Sequence, residues 1–330
     1  MDKRKLVKPL GFGALFVVLL LLPQFIRQPY VCHIFIMMGV NIILAVSLRF
    51  IAMSGQFSLG HAGMVSIGAY TSALLVIKGG LSFWLALPLS GLTAMSIACL
   101  VGYPFTRLKG IYFTMVTLFL AEFIRLTAEQ WKSLTGGVSG IMTIPRPNPI
   151  IIPGLLNADF ASKTDFYYLI LMMVGITLLI FYAIESSRVG MTFLSIQQSE
   201  SLSESIGINS TRFRVLAFGI GCFFAGIDGS FYSHYFSAIA PGSFGFLLGI
   251  YIFIYMVVGG MKRFAGPMIG AVILTLIPEF ARRVKAYEPF VFAAILLLTI
   301  FFLRGGIISL PERLSKIITR RVSLRLKSGS

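Results

Sequence analysis

Long apolar runs recur along nearly the whole chain, and only short polar segments separate them. A helix of about 20 apolar residues spans the hydrocarbon core of a bilayer, where only helices and closed barrels satisfy their own backbone polar groups. Charged residues make up 12% of the sequence, about half of the roughly 25% typical of soluble domains. The sequence therefore predicts an all-α polytopic membrane protein.

The positions of the apolar runs predict about ten transmembrane helices. The runs are 10–26, 30–52, 61–77, 84–103, 111–128, 166–184, 213–236, 244–260, 265–280 and 289–304. The third, eighth and ninth are short or interrupted by glycine, so a count of eight or nine stays open. No small-x-small cleavage site follows the first run, where Pro23 begins the next polar stretch, so we expect that run to stay uncleaved.

The net charge of +16 would suit a nucleic-acid-binding protein, but the distribution of the charge argues against that class. With ten spans and the N-terminus inside, most of the 28 Lys and Arg residues fall on the cytoplasmic side. The charge is therefore a topology signal that predicts cytoplasmic N- and C-termini and no nucleic-acid partner. We expect the basic tail, residues 305–330, to be cytoplasmic and to contact anionic membrane lipid.

Two polar segments are longer than a simple connection requires. Residues 129–165, outside in this topology, are rich in glycine and proline and predict a functional or disordered external loop. Residues 185–212, on the inside, contain a short amphipathic helix with Leu202 and Ile206 on one face. There, Ser201 and Glu204 form an S-x-x-E capping pattern and Gly207 is the stop signal. This helix is either a surface for another protein or part of an ordinary solvated loop.

Sequence motifs for catalysis are missing. The chain has no phosphate-binding G-x-x-x-x-G-K-[ST] loop, no H-E-x-x-H, no C-x-x-C and no G-x-S-x-G. The three histidines, His33, His61 and His234, are far apart and are expected to be hydrogen-bonded residues of the spans rather than metal ligands. We therefore predict that the chain is not an enzyme and binds no metal.

Polar groups within the predicted spans each require an explanation, because a charged group at the bilayer centre costs about 2.5–3.5 kcal/mol on insertion scales. Glu122 and Arg125 are three residues apart and share a helix face, either as a structural ion pair or as part of a site. Asp228 has no local partner and must face protein or water.

The stretch from Met53 to Gly63 interrupts an apolar run with Gly, Ser, Gln and His, without forming an external loop. Broken helices at membrane depth occur where protein or a water-filled cavity surrounds them, and transporters place substrate sites there. The alternative is close helix packing through small residues such as Ala62 and Ala69. The two interpretations are compatible.

At these residues the chain resembles the LivM-like permease subunits of branched-chain amino acid ATP-binding cassette (ABC) importers, a branch that includes urea and short-amide permeases. The matching stretches are Ser54–Ala62 with Ile67–Tyr70, Leu108–Phe113 through Glu122–Arg125, Leu134–Ile141, and Ser195–Asn209 running on to Ala225. Val257–Gly260, Gly266–Ala271 and Pro278-Glu279 add to the match, which covers roughly residues 38–285.

The resemblance implies a single permease domain over residues 1–330, similar to the cobalamin-type importer permeases, in the bacterial cytoplasmic (inner) membrane. It implies a sister permease subunit, two ABC ATPase subunits inside and an extracytoplasmic substrate-binding protein. ATP would be used by those partner subunits, and this chain would bind no cofactor. The substrate would be a branched-chain amino acid, with urea, short amides or other amino acids as alternatives. An ion-coupled secondary transporter using Glu122 or Asp228 is the alternative from another class.

The resemblance also implies roles for particular residues. The expected substrate pathway comprises Gln56, Ser58, Gly60, His61, Glu122 and Arg125. Docking of the binding protein is expected at Thr135, Gly136, Gly137 and Ser139, and coupling to the ATPase at Glu200, Glu204, Gly207 and Asn209. Two departures stand out. Gln197-Gln198-Ser199 replaces the Arg-Glu-Asn usual in the family, which puts the detail of the ATPase contact in question. Asp228 replaces a small apolar residue, which puts the packing or the substrate of the seventh span in question.

Overall fold

The structure of the protein, a computed structural model, describes residues 28–108, 110–152, 156–280, 288–302 and 306–309. The predicted span 10–26 and most of the basic tail lie outside the described residues. The long helices are α1 (Pro29–Ala52), α2 (His61–Ile77), α3 (Phe83–Phe105), α4 (Ile111–Gln130), α6 (Lys163–Glu185), α9 (Ser210–Phe236), α10 (Phe246–Gly259), α11 (Gly266–Phe280) and α12 (Glu288–Phe302).

Shorter elements fill the two polar segments and the connections. They are the helices α5 (Lys132–Thr135), α7 (Arg188–Gln198) and α8 (Glu200–Ser205), the strands β1 (Ile141–Met142), β2 (Ile150–Ile152), β3 (Leu156–Ala158) and β4 (Ala238–Ile239), and the 3₁₀ turns Gly137–Ser139, Pro241–Phe244 and Ile307–Ser309. Strand β1 pairs antiparallel with β4, and β2 pairs antiparallel with β3.

Six helical segments in the described part of the chain are long and apolar enough to cross a membrane. They are α1, α3, α4, α6, α9 and the segment Pro241–Gly259 that includes α10. The apolar helices His61–Ile77 and Gly266–Ile277 are shorter. The prediction of a multi-pass helical membrane protein is confirmed at this level, because the described residues are mostly helical and each predicted run from residue 30 onward coincides with a helix.

The helices begin and end at local signals. Ser162 caps α6 through a capping box in which its Oγ accepts from the Asp165 amide, and Asn209 Oδ1 accepts from the Arg212 amide at the start of α9. Two helices extend into the predicted loops. Helix α4 continues to Gln130, within the predicted external loop 129–165, and α9 begins at Ser210, within the predicted cytoplasmic loop 185–212.

Helix α9 lies at the centre of the bundle and packs closely against α2 and α3. A Cβ on Gly68 of α2 would overlap the carbonyl of Gly226, and one on Gly229 would overlap the carbonyl of Val65. Small residues allow this approach of helix backbones, as in many membrane proteins. On the face of α2 that contacts α9, the small residues therefore serve close helix packing, which was the alternative interpretation of this part of the sequence.

The contacts between helix ends fall into two sets, one at each end of the bundle. At one end, which we call the Arg49 face, Arg49 joins the end of α1 to Glu185 at the end of α6 and to the Met261 carbonyl between α10 and α11. At the other, the β1–β4 face, strands β1 and β4 pair and the Asn148 side chain accepts from the Phe83 amide. The two long polar segments therefore lie at opposite ends of the bundle.

Candidate functional site

The interruption between α1 and α2, residues 53–60, is not helical, as predicted, and its polar side chains are buried. Gln56 Nε2 donates to the Thr106 carbonyl at 3.1 Å, and Ser58 Oγ accepts from the Gly60 amide at 3.1 Å. His61 Nε2 and Ser47 Oγ lie 2.8 Å apart in a hydrogen bond. These predicted pathway residues therefore make structural contacts inside the protein.

The same segment is bound to the first turns of α4. Thr114 Oγ1 donates to the Phe57 carbonyl at 2.7 Å, and the Leu59 amide donates to Thr117 Oγ1 at 3.3 Å. A Cβ on Gly60 would lie 2.6 Å from the Thr117 carbonyl oxygen. The glycine is therefore required for the close approach of the interruption to α4.

A three-residue ionic group lies along α4. Arg125 Nη2 donates to Glu122 Oε1 at 2.6 Å, and Arg125 Nη1 donates to Glu129 Oε2 at 2.7 Å. The predicted pair of Glu122 and Arg125 is confirmed as an ion pair. The predicted group did not include Glu129, although its i, i+4 spacing from Arg125 was the signal. Two carboxylates around one guanidinium leave a net charge of −1. The Glu122 side chain is 39% exposed to solvent.

A cavity of about 230 Å³ opens beside Glu122. Its walls are otherwise largely apolar and come from α2, α4, α10 and the residues next to them: Leu59, Ala62, Leu118, Phe119, Ala121, Gly245 and Phe246. The cavity thus brings Glu122 next to the end of the interruption. It does not include Gln56, Ser58 or His61 in its lining.

The outward face of α4 beside this cavity is apolar and exposed in the isolated chain. Its exposed side chains are Ile111, Tyr112, Met115, Phe119, Phe123 and Leu126. The face combines a stripe suited to lipid or protein with the charged group of Glu122, Arg125 and Glu129.

Helix α7, which was not predicted from the sequence, occupies the first half of the inside polar segment. Its buried residues Gly190, Phe193 and Ile196 recur at every third position. Phe193 packs edge-on against Phe50 of α1 and Phe213 of α9, with ring centroids 5.4 and 6.1 Å apart. The segment is therefore seated on the ends of two long helices.

Helix α8 forms as predicted, but its cap differs from the prediction. Ser199, not Ser201, is the N-cap and accepts from the Leu202 amide at 3.3 Å. Ser199 has extended backbone angles because it joins α7 to α8, whereas Ser201 is already helical. Gly207 has φ +85°, which confirms the predicted stop with positive φ.

Three of the predicted coupling residues, Glu200, Glu204 and Asn209, form hydrogen bonds or ion pairs within the chain, although Glu204 stays exposed. Glu200 pairs with Arg214, and Ser210 donates to Glu204, so both carboxylates hold α8 against the start of α9. Leu202 and Ile206 are 68% and 71% exposed. The apolar pair is therefore what α8 presents on the Arg49 face, while Asn209 serves as the cap of α9.

The predicted docking residues lie on the β1–β4 face. Thr135 is buried and donates to the Trp131 carbonyl, and Gly137 is buried as well. Gly136 and Ser139 are exposed. The exposed pair can meet a partner, whereas the buried pair shapes the turn.

The histidines and Asp228 are further polar residues of the spans. Each histidine is hydrogen-bonded, as predicted: His33 to Tyr235, His61 to Ser47, and His234 to Ser72 and the Pro145 carbonyl. Asp228 is fully buried, and neither of its carboxylate oxygens has a hydrogen-bond partner in the described part of the chain.

Comparison with known proteins identifies the family. Residues 30–303 match the family described as the permease component of the branched-chain amino acid transport system. The chain is 29% identical to the permease protein LivM of Salmonella typhimurium over 317 residues, which is 90% of this chain and 70% of that protein.

Two further relatives support the match. LivM of Escherichia coli is 28% identical over 318 residues, again 90% of this chain and 70% of the relative. LivH of the same species is 25% identical over 282 residues, 78% of this chain and 87% of the relative. All three are named as parts of high-affinity branched-chain amino acid transport systems. No solved structure matches the chain. The resemblance noted in the sequence is thus confirmed, and the chain belongs to the permease component family of branched-chain amino acid transport systems.

Proposed function

We propose that the chain is a transmembrane permease subunit of an ABC importer and forms part of the pathway for branched-chain amino acids across the bacterial cytoplasmic membrane. Family membership and the names of the LivM relatives support this function. The observation that carries the proposal is the charged group of Glu122, Arg125 and Glu129 beside an apolar cavity on α4.

The position of Glu122 along α4 supports a pathway there. Glu122 follows the start of the 20-residue helix by eleven residues, about 16 Å along a helix of about 30 Å. It therefore lies near the middle of the helix, where a half-exposed ionic group facing lipid would be unfavourable. A second protein or a water-filled path must cover this face. An apolar cavity with a charged edge suits a zwitterion with an aliphatic side chain.

A sister permease subunit is the expected cover of the α4 face. The chain matches both LivM and LivH, which are named as separate permease proteins, and a pair of related permeases supports a heterodimer. In this assembly the exposed apolar side chains of α4 would pack on the sister, and the cavity beside Glu122 would become half of an enclosed path. Gln56, Ser58, Gly60 and His61 would hold the interruption that borders the path.

The two ends of the bundle suit the two remaining partners. On the Arg49 face, α8 presents Leu202 and Ile206, a small apolar surface on which the ABC ATPase subunit would seat. On the β1–β4 face, exposed Gly136 and Ser139 belong to the folded segment on which the extracytoplasmic binding protein would dock. The Arg49 face would then be cytoplasmic, with both termini and the basic tail 305–330 on that side near membrane lipid.

The remaining features of the assembly follow from the family. We expect about ten spans in one permease domain over residues 1–330, an architecture similar to the cobalamin-type importers, with the segment between α4 and α6 external and the segment between α6 and α9 cytoplasmic. ATP would be hydrolysed by the partner subunits, and this chain would bind no cofactor.

Reconstitution tests the proposed function. The permease, its sister, the two ATPase subunits and the binding protein are placed in proteoliposomes, and uptake of labelled leucine, isoleucine and valine is measured with and without ATP. We expect uptake that requires both ATP and the binding protein. Uptake of urea or an amide instead would change the substrate. Uptake by the permease alone, driven by a proton gradient and abolished by Glu122→Gln, would replace the importer by a secondary transporter.

A further inference from the structure

The non-helical interruption, residues 53–60, touches the end of α7. Gln197 Nε2 donates to the carbonyl of Ala52, the last residue of α1, at 3.1 Å. A Cβ built on Gly55 would lie 3.4 Å from Gln197 Cα and 4.0 Å from Gln197 Cβ. Gly55 has φ +84°, a conformation that favours glycine. Gln197 therefore lies against Gly55 of the interruption, and its hydrogen bond joins α7 to the end of α1, directly before the interruption.

The next residues of the interruption form hydrogen bonds with α4 and with Thr106, just after α3. Gln56 donates to the Thr106 carbonyl just after α3, and the Phe57 carbonyl accepts from Thr114 of α4. One turn further along α4, Thr117 accepts from the Leu59 amide. Within the interruption, Gly55 thus lies against α7, while Phe57 and Leu59 bond to α4, the helix that carries Glu122.

Helix α7 is firmly connected to α8. Only Ser199 separates the two helices, and its side chain caps α8. Phe193 is fully buried between Phe50 and Phe213, so α7 cannot shift independently of its seat. Hinges are loop residues that absorb backbone rotation between packed elements. Because a single residue joins α7 to α8, little loop is available to absorb a displacement of α8, which would therefore reach Gln197.

We propose that Gln197 is a positioning residue that links the α7–α8 segment to α4 through Ala52 and the interruption that follows it, so that movement of α8 changes the path beside Glu122. The inference rests on the proposed function, because it assumes that an ATPase subunit moves α8. In this arrangement α7 and the interruption move together as one unit, and Gln197 makes the link without contacting substrate.

Loss of the hydrogen-bond donor tests the link in the complete importer. Gln197→Glu keeps the side-chain length but removes the N–H groups, so it cannot donate to the Ala52 carbonyl. We expect uptake to fall roughly fivefold, the scale of one lost hydrogen bond, while ATP hydrolysis and copurification of the ATPase subunits stay unchanged. Gln198→Glu, the same change at the neighbouring exposed residue, is the matched control and should keep the parental ratio of uptake to hydrolysis.

A reversible cross-link tests whether the two segments move as one. In a chain with Cys32, Cys99 and Cys222 replaced by serine, Gly55→Cys and Gln197→Cys would place their Cβ atoms about 4 Å apart, within the usual range for a disulfide. With the two cysteines reduced, we expect the importer to hydrolyse ATP with little uptake. After oxidation to the disulfide, we expect uptake to return. The single variant Gly55→Cys measures how much uptake is lost because a residue other than glycine stands at positive φ.

Each outcome decides one question. A Gln197→Glu importer with the parental ratio of uptake to hydrolysis would overturn the link, and so would an oxidised pair that stays uncoupled or transports still less. Neither result would affect the proposed function, since the parent importer would still transport. Absence of ATP-dependent uptake in the parent would instead remove the proposed function.

Discussion

Arg49 and Glu185 form a bidentate ion pair, with Nη1 and Nη2 of the guanidinium 2.7 and 2.8 Å from the two carboxylate oxygens. Arg49 is 4% exposed, and it also donates from Nε to the Met261 carbonyl. The pair therefore ties the end of α1 to the end of α6 beside the seat of α7.

Removal of one partner should destabilise the protein. Glu185→Gln would leave the buried Arg49 charge uncompensated, and we expect a loss of roughly 2 kcal/mol in stability. The midpoint of thermal unfolding in detergent measures this loss. The double variant Arg49→Met, Glu185→Leu should recover part of it, because no unpaired charge remains. Arg188→Gln, at an exposed position on the same face, should leave the midpoint unchanged.

Gly207→Val should reduce transport without preventing membrane insertion. A Cβ at this position would meet nothing within 4 Å, so the effect comes from the backbone. At φ +85° a β-branched residue is strained by about 1 kcal/mol or more. The turn after α8 would change, and the ATPase subunits should copurify less well. Gly207→Asn is the matched control, since Asn tolerates positive φ. Unchanged uptake and copurification in Gly207→Val would contradict a role of this turn in coupling.

The sequence predicted the helices well because lipid allows the backbone few alternatives. Helix α7 was missed because its buried positions, Gly190, Phe193 and Ile196, include a glycine and alternate with the exposed apolar residues Met191 and Leu194, so no single apolar face stands out. The position of the α8 cap was wrong by two residues for a different reason. Serines at positions 199, 201, 203 and 205 offer equivalent capping signals, and only the junction with α7 makes Ser199 extended.

The candidate site was predicted in part. Helical spacing correctly paired Glu122 with Arg125, since the 3.6-residue period determines which side chains meet. Glu129 was assigned to the loop because the apolar run ends before the helix does. Gln56, Ser58 and His61 were recognised as polar groups at an interruption, but no helical periodicity applies to Gln56 and Ser58, and His61 only begins α2. Whether they face a path or the protein therefore depends on tertiary contacts.

The topology of the β1–β4 face can be tested with thiol labelling. In a chain without its native cysteines, Ser139→Cys should react with an impermeant reagent in intact spheroplasts, because Ser139 is exposed and predicted to be external. Thr135→Cys lies in the same segment but is buried, so it should react much more slowly. Labelling of Ser139→Cys only after lysis would place this face inside the cell and remove the proposed docking of the binding protein.

Gly60→Leu should stop uptake in the assembled importer. Because a Cβ at residue 60 would lie 2.6 Å from the Thr117 carbonyl oxygen, a larger side chain must push the interruption away from α4, next to the cavity beside Glu122. We expect ATP hydrolysis to persist or to become independent of the binding protein, which separates blocked passage from failed assembly. Uptake of labelled leucine and phosphate release are measured on the same proteoliposomes.

Ser58→Ala is the comparison for Gly60→Leu. It removes the hydroxyl that accepts from the Gly60 amide, a loss of about 1 kcal/mol, but adds no volume at the contact with α4. We expect this variant to retain most of the uptake. The opposite order, with Ser58→Ala inactive and Gly60→Leu active, would show that a hydroxyl of the interruption serves passage directly and that its close packing on α4 does not.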